Sequence, residues 1–199
     1  MVHKDIADTL IKLKDADLLL RDKLIQNSQL GDGYNEEMEK LHIRNAETLH
    51  GIINEIGYPT TDLVGTEANE AAWLITQHAI SCPLFMKKCA RLLETIVSER
   101  NENPKHLAYL TDRIAGFEDK PQLYGTQFDW DETGILSPLS YDDKEKVNER
   151  RKLLGFNTLE EQTEILRKQA KNENQLPPKD FETRKNKYDN WRRKVGWIK

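Results

Sequence analysis

The stretch IADTLIKLKDADLLLRDKL, residues 6–24, is where the fold class becomes readable. Its apolar residues Ile6, Leu10, Leu13, Leu20 and Leu24 fall at intervals of four, three, seven and four. Side chains three or four apart share one face of an α-helix, so this is an amphipathic helix with a stripe to bury. Asp17 occupies the slot between Leu13 and Leu20, and Arg21 follows one turn later.

The same spacing recurs outward along the chain. Met38, Leu41, Leu49, Ile52 and Ile56 mark a second helix, closed by Gly57-Tyr58-Pro59. Thr66 is the expected cap of a third, alanine-rich helix running from Glu67 to about residue 80. Pro83 suits the first turn of a fourth, to about Ser98, with Phe85, Cys89, Leu92 and Ile96 on one face. Pro104 opens a fifth, carrying Leu107, Leu110, Ile114 and Phe117. Prolines and glycines then break residues 119–140 into a long polar loop. Shorter helices are expected near 142–154, 158–172 and 179–194, with Thr158 and Glu161 as a capping box. No alternating strand pattern of useful length and no repeat is present. The expectation is an all-α, irregular multi-helix bundle over residues 1–170, with residues 171–199 as a basic aromatic C-terminal helix packed on that body.

Composition narrows the classes. Of 199 residues, 37% are apolar and 32% charged, enough for one economical core under a heavily charged surface. No run approaches the roughly 18 apolar residues of a membrane span, and the N-terminus has no apolar signal core, so a cytoplasmic protein is expected. Cys82 and Cys89 stand seven apart, about 10 Å along a helix, too far for a disulfide. Residues 171–199 hold nine Lys or Arg and four Asp or Glu, a net +5 that leaves −9 on residues 1–170 of the total −4. An acidic body argues against nucleic-acid binding. The tail, with Phe181, Tyr188, Trp191 and Trp197 along it, is a place for a protein partner.

Polar residues interrupting apolar stripes carry the functional argument. Besides Asp17 and Arg21, Asn45 lies between Leu41 and Leu49, His78 three beyond Ile75, Asp112 one turn from Ala108 beside Arg113, and Arg151 between Val147 and Leu154. A polar turn, Gln122-Leu123-Tyr124-Gly125-Thr126-Gln127-Phe128, follows Leu110-Thr111-Asp112-Arg113. A buried charge costs several kcal/mol unless paired, so one such residue on each of several helices suggests a shared polar pocket. Each also has a plain structural reading. Asp17 and Arg21 make an i,i+4 surface pair, Asn45 a register-setting seam residue, and His78 a satisfied core histidine. Asp112-Arg113 serves equally as a salt bridge pinning the loop, and Tyr124-Gly125-Thr126-Gln127 as an ordinary turn.

Taken together, several pieces resemble a bacterial family catalogued as a domain of unknown function. They are Gly57-Tyr58-Pro59-Thr60 with Leu63-Val64-Gly65, Ala72-Trp73, Gln77-His78-Ala79, Leu107 through Arg113, Gln122-x-Tyr124-Gly125-Thr126-Gln127, and Arg150-Arg151 before Gly155-Phe156. The resemblance covers roughly residues 14–160 and implies a mostly helical soluble domain without an assigned activity. His42 stands where that family usually has an acidic residue, and Asn148 where Asp often precedes the arginine pair, so the resemblance gives neither position a role.

No glycine-rich phosphate loop and no Gly-x-Ser-x-Gly elbow is present. Metal binding through Asp17, His78 and Asp112 would offer one histidine and two carboxylates, yet no His-x-x-x-His or Glu-x-x-His spacing accompanies them, so no metal site is expected and no cofactor is indicated. What remains is His78 as acid or base oriented by Asp112, with Asp17, Arg21, Asn45, Arg113, Tyr124, Gln127 and Arg151 holding a ligand. Two functions stay open: binding or processing a small polar or anionic ligand or a modified peptide, or a non-enzymatic interaction module whose polar residues only lock the bundle.

Overall fold

A computed structural model describes residues 2–27, 29, 33–99 and 102–199. Among them are nine helices and one two-stranded sheet, an all-α multi-helix fold. The chain divides into two compact units, Met1–His106 and Leu107–Lys199.

The first unit is built on α1 (Lys4–Gln26), α2 (Glu36–Ile56), α3 (Thr61–Val64), α4 (Thr66–His78) and α5 (Pro83–Ser98). α1 packs against both α4 and α2, and α4 also meets α2 and α5. The stripe that α1 buries completely is Ala7, Leu10, Asp17 and Leu24, so Asp17 occupies a core position at 0% exposure. On α2 the buried face is Met38, His42, Asn45, Ala46, Leu49, Ile52 and Ile53. Asn35 caps α2 by accepting from the Glu37 and Met38 amides, worth about 1 kcal/mol. Gly57, at φ +77°, ends it in a conformation that glycine adopts without penalty. α3 is a single turn absent from the sequence reading. It ends at Gly65, and Gly65 rather than Thr66 occupies the cap position of α4. Thr66 is instead the first helical residue.

The second unit takes up from residue 107 along α6 (Pro104–Phe117). It continues through a hairpin of β1 (Phe128–Trp130) and β2 (Leu136–Pro138), then α7 (Lys144–Leu153), α8 (Leu159–Asn172) and α9 (Phe181–Val195). The hairpin is antiparallel, pairing Asp129 with Ser137. Its turn is organised by Asp131, which accepts from the Thr133 and Ile135 amides. Thr158 and Glu161 form the expected capping box at α8. Asn148 bridges α7 to α8, donating to Glu160 and accepting from the Leu159 amide. On α9, Arg192 is buried and donates to the Phe117 carbonyl and to Asp119 and Asp189. The Trp197 ring stacks on Phe117 at 4.8 Å between centroids. Among the described residues, no helix is long and apolar enough to cross a membrane.

Candidate functional site

In the first unit the buried polar residues of three helices converge. α1 delivers Asp17, α2 delivers His42 and the C-terminal residue of α4 is His78. The His78 Nδ1 lies 2.8 Å from Asp17 Oδ2 in hydrogen-bond geometry. The His42 Nε2 approaches the same oxygen at 3.0 Å, but off line, so Nε2 has no hydrogen-bond partner among the described residues. The two imidazole rings sit 4.9 Å apart, tilted by 40°. On the other edge of the His42 ring, the Tyr34 hydroxyl meets Nδ1 in a short hydrogen bond, and it also reaches the His78 carbonyl at 3.5 Å.

The electrostatics follow from burial against two imidazoles. Burial alone would raise the Asp17 carboxyl, but the two imidazoles beside it, His42 and His78, outweigh it and hold the group well below the ordinary carboxylate range. Asp17 is therefore an anion at the centre of unit 1. Its second oxygen, Oδ1, is buried without a hydrogen-bond partner among the described residues. Burial is also the largest influence on Tyr34, with Glu39 and Asp17 adding to it, and the phenol is pushed far above its usual value and stays protonated.

One ligating atom from each of Asp17, His42 and His78 lies within 4.8 Å of the others. In a metal site with bonds of about 2.0–2.2 Å, neighbouring donors sit about 3 Å apart. The two nitrogen-to-oxygen approaches, 2.8 and 3.0 Å, lie near that spacing. Two nitrogens and a carboxylate oxygen suit zinc or ferrous iron and leave coordination positions open. A cation there would also engage the two atoms left without hydrogen bonds, Asp17 Oδ1 and His42 Nε2. The donor set fits a divalent ion.

The nine residues singled out in the sequence divide between the units. Asp17 and His78 meet directly in the first. Asn45 is buried one turn from His42, but its amide donates to the Leu13 carbonyl at 3.4 Å, joining α2 to α1. Arg21 is exposed.

Asp112, Arg113, Tyr124, Gln127 and Arg151 belong to the second unit, and three of them act on one loop. Asp112 accepts from the Leu123, Tyr124 and Thr126 amides. Burial nevertheless leaves its carboxyl raised against those hydrogen bonds. Arg151, buried, donates to the Tyr124, Gly125 and Asn157 carbonyls and lies 5.3 Å from the Phe156 ring centre. Gln127 donates through its side chain to the neighbouring Thr126 hydroxyl. Arg113 is half-buried, and the desolvation lowers its pKa. Gln122, which the sequence reading quoted without assigning it a role, is fully buried. It accepts from the Gln127 amide and donates to the Gln127 and Leu139 carbonyls.

His42 and Tyr34 are the residues of the first unit that sequence reasoning passed over. The signal for His42 was available, since 38, 42, 45 and 49 form one unbroken helical stripe. A second buried histidine, His106, also escaped notice. It stacks on Trp73 at 4.6 Å and lies 3.2 Å from Glu102, which accepts from Asn69.

Comparison with known proteins adds lineage and no chemistry. Neither the curated proteins nor the solved structures yield a match to this chain. A family model matches residues 4–172, from the start of α1 to the end of α8 and short of α9. The chain belongs to that family, the family of unknown function DUF6624.

Proposed function

We propose that this protein is a divalent-metal-dependent protein that binds or processes a small polar or anionic ligand at Asp17, His42 and His78. One observation carries the reading: a buried carboxylate and two imidazoles from three helices converge within 4.8 Å, with one carboxylate oxygen and one imidazole nitrogen lacking a hydrogen-bond partner among the described residues. Three protein ligands with an open position are the pattern of catalytic rather than structural zinc. A bound ion of that kind polarises an oxygen ligand or makes a bound water acidic. An anionic group, a carboxylate or phosphate, is the natural occupant of the open position.

The test is metal binding to the chelator-stripped protein, followed by calorimetry with Zn²⁺ and by Co²⁺ absorption. One ion per chain is expected, lost in Asp17→Ala, His42→Ala and His78→Ala. Binding that all three variants retain would sink the proposal.

A metal-free reading has its own support in the in-line His78 Nδ1–Asp17 bond. That bond orients the ring and leaves Nε2 of a part-exposed histidine as an acid or base. An anion screen by thermal shift, run with and without chelator and with His78→Ala as control, separates the two. Shifts that survive the chelator favour the dyad. An interaction module whose polar residues are only structural predicts no shift in either arm.

A further inference from the structure

We infer that Tyr34 is the positioning residue of this centre: its hydroxyl oxygen accepts a hydrogen bond from His42 Nδ1–H and thereby commits the Nε2 lone pair to the Asp17 side. The role as a metal-ligand orienter rests on the metal-centre reading above, while the tautomer it fixes does not.

The geometry works through the two edges of one ring. The Tyr34 hydroxyl is bonded to His42 Nδ1, and the opposite nitrogen, Nε2, faces Asp17 Oδ2 at 3.0 Å. A hydroxyl on Nδ1 cannot reach an ion on Nε2, so Tyr34 is no ligand itself. A hydroxyl has one proton to give, and the His78 carbonyl, at 3.5 Å, can only accept. With that proton directed to the carbonyl, the oxygen is left to accept from His42 Nδ1–H. His42 Nε2 then carries a lone pair on the side of Asp17 Oδ2, 3.0 Å away. That is the arrangement in which a ligand histidine donates its other nitrogen to an outer partner.

The fold places Tyr34 for this. It precedes Asn35, whose side chain caps α2 and whose amide nitrogen donates to the Gln29 carbonyl. The cap therefore sets where the preceding tyrosine enters. The phenol also ties a ligand on α2 to the backbone of the ligand on α4.

Two measurements test the inference on the whole chain. Long-range proton–nitrogen NMR of the metal-free protein is expected to show His42 as the Nδ1–H tautomer, moving toward Nε2–H in Tyr34→Phe. Calorimetry with Zn²⁺ is expected to show affinity falling about 10–100-fold in Tyr34→Phe, with the metal-free melting temperature unchanged. A wild-type Nε2–H tautomer overturns the inference, as does Zn²⁺ affinity in Tyr34→Phe equal to that of the wild type. If the wild type binds no Zn²⁺, the metal-centre reading fails, and the wild-type tautomer still decides the Tyr34–His42 bond without any variant.

Discussion

Replacing Asp112 by asparagine separates a lock from a catalyst. In the native loop, Oδ1 accepts from the Leu123 amide at 2.8 Å and the Tyr124 amide at 3.1 Å, while Oδ2 accepts from Tyr124 at 3.2 Å and Thr126 at 2.9 Å. Asparagine keeps one oxygen and presents an NH₂ group where the other stood. If the oxygen stays toward Leu123, the Thr126 amide faces a donor and loses its partner. A hydrogen bond to a charged acceptor contributes about 1.5–3 kcal/mol, and a stranded buried amide costs about 1–3 kcal/mol. Against this, the substitution removes a carboxylate whose burial already raises its pKa, which returns part of the loss. The net expectation is a destabilisation of about 2–4 kcal/mol. With a urea m-value of about 2 kcal/mol/M, the unfolding midpoint falls by about 1–2 M at unchanged slope. Equal or greater stability in Asp112→Asn would refute the lock, because a functional carboxylate buried at a cost should gain stability when neutralised.

Three further outcomes follow from other parts of the molecule. Gly125 holds φ +61°, and a Cβ there would stand 2.6 Å from Leu159 Cδ1, so Gly125→Ala should cost about 2–4 kcal/mol by strain and overpacking together in urea unfolding. Burial would raise Glu102, but His106, the Asn103 amide and Asn69 together hold its carboxyl below the ordinary glutamate range. A depressed folded pKa gives stability that is complete above the unfolded value and lost as pH falls through the folded one, so wild-type melting temperature should drop more steeply than that of Glu102→Gln between about pH 5 and 3. Truncation after Gln175 removes buried Arg192 and Trp197 from Phe117 and should lower the melting temperature by several degrees or more; an unchanged melting curve would make α9 a free tail.

What the sequence reveals and hides follows from how far each signal reaches. Helices of ten residues or more announce themselves because three-and-four spacing has room to repeat. α3 has four residues and each strand three, too short for any period to show. Asp17 and His78 were legible as polar residues on apolar faces, and the structure brings them together. His42 is masked in the sequence because Leu41, only half-buried, extends the apolar pattern beside it, whereas the true buried face runs through Met38, His42 and Asn45. One residue of drift rotates a helix by about 100°, enough to trade a core position for a flanking one. Tyr34 lies outside any helix, and its placement depends on the Asn35 cap and on tertiary contact with His42.

Asp17 and Asp112 gave the same signal in the sequence, an aspartate interrupting a buried stripe, and both are 0% exposed. Their surroundings differ in one countable respect. Asp112 has both oxygens occupied by backbone amides of a single loop. Its bonding capacity is consumed in holding Tyr124 and Gly125 where Arg151 grips their carbonyls from the other side. Asp17 has one oxygen crowded by two imidazoles and the other without a hydrogen-bond partner among the described residues. A buried carboxylate oxygen without a donor costs free energy. Burial therefore does not distinguish the two aspartates. The completeness of their hydrogen bonding does: Asp112 is spent on the amides of the loop at 122–127, while Asp17 Oδ1 has no hydrogen-bond partner among the described residues, which is why the proposed centre is placed at Asp17, His42 and His78.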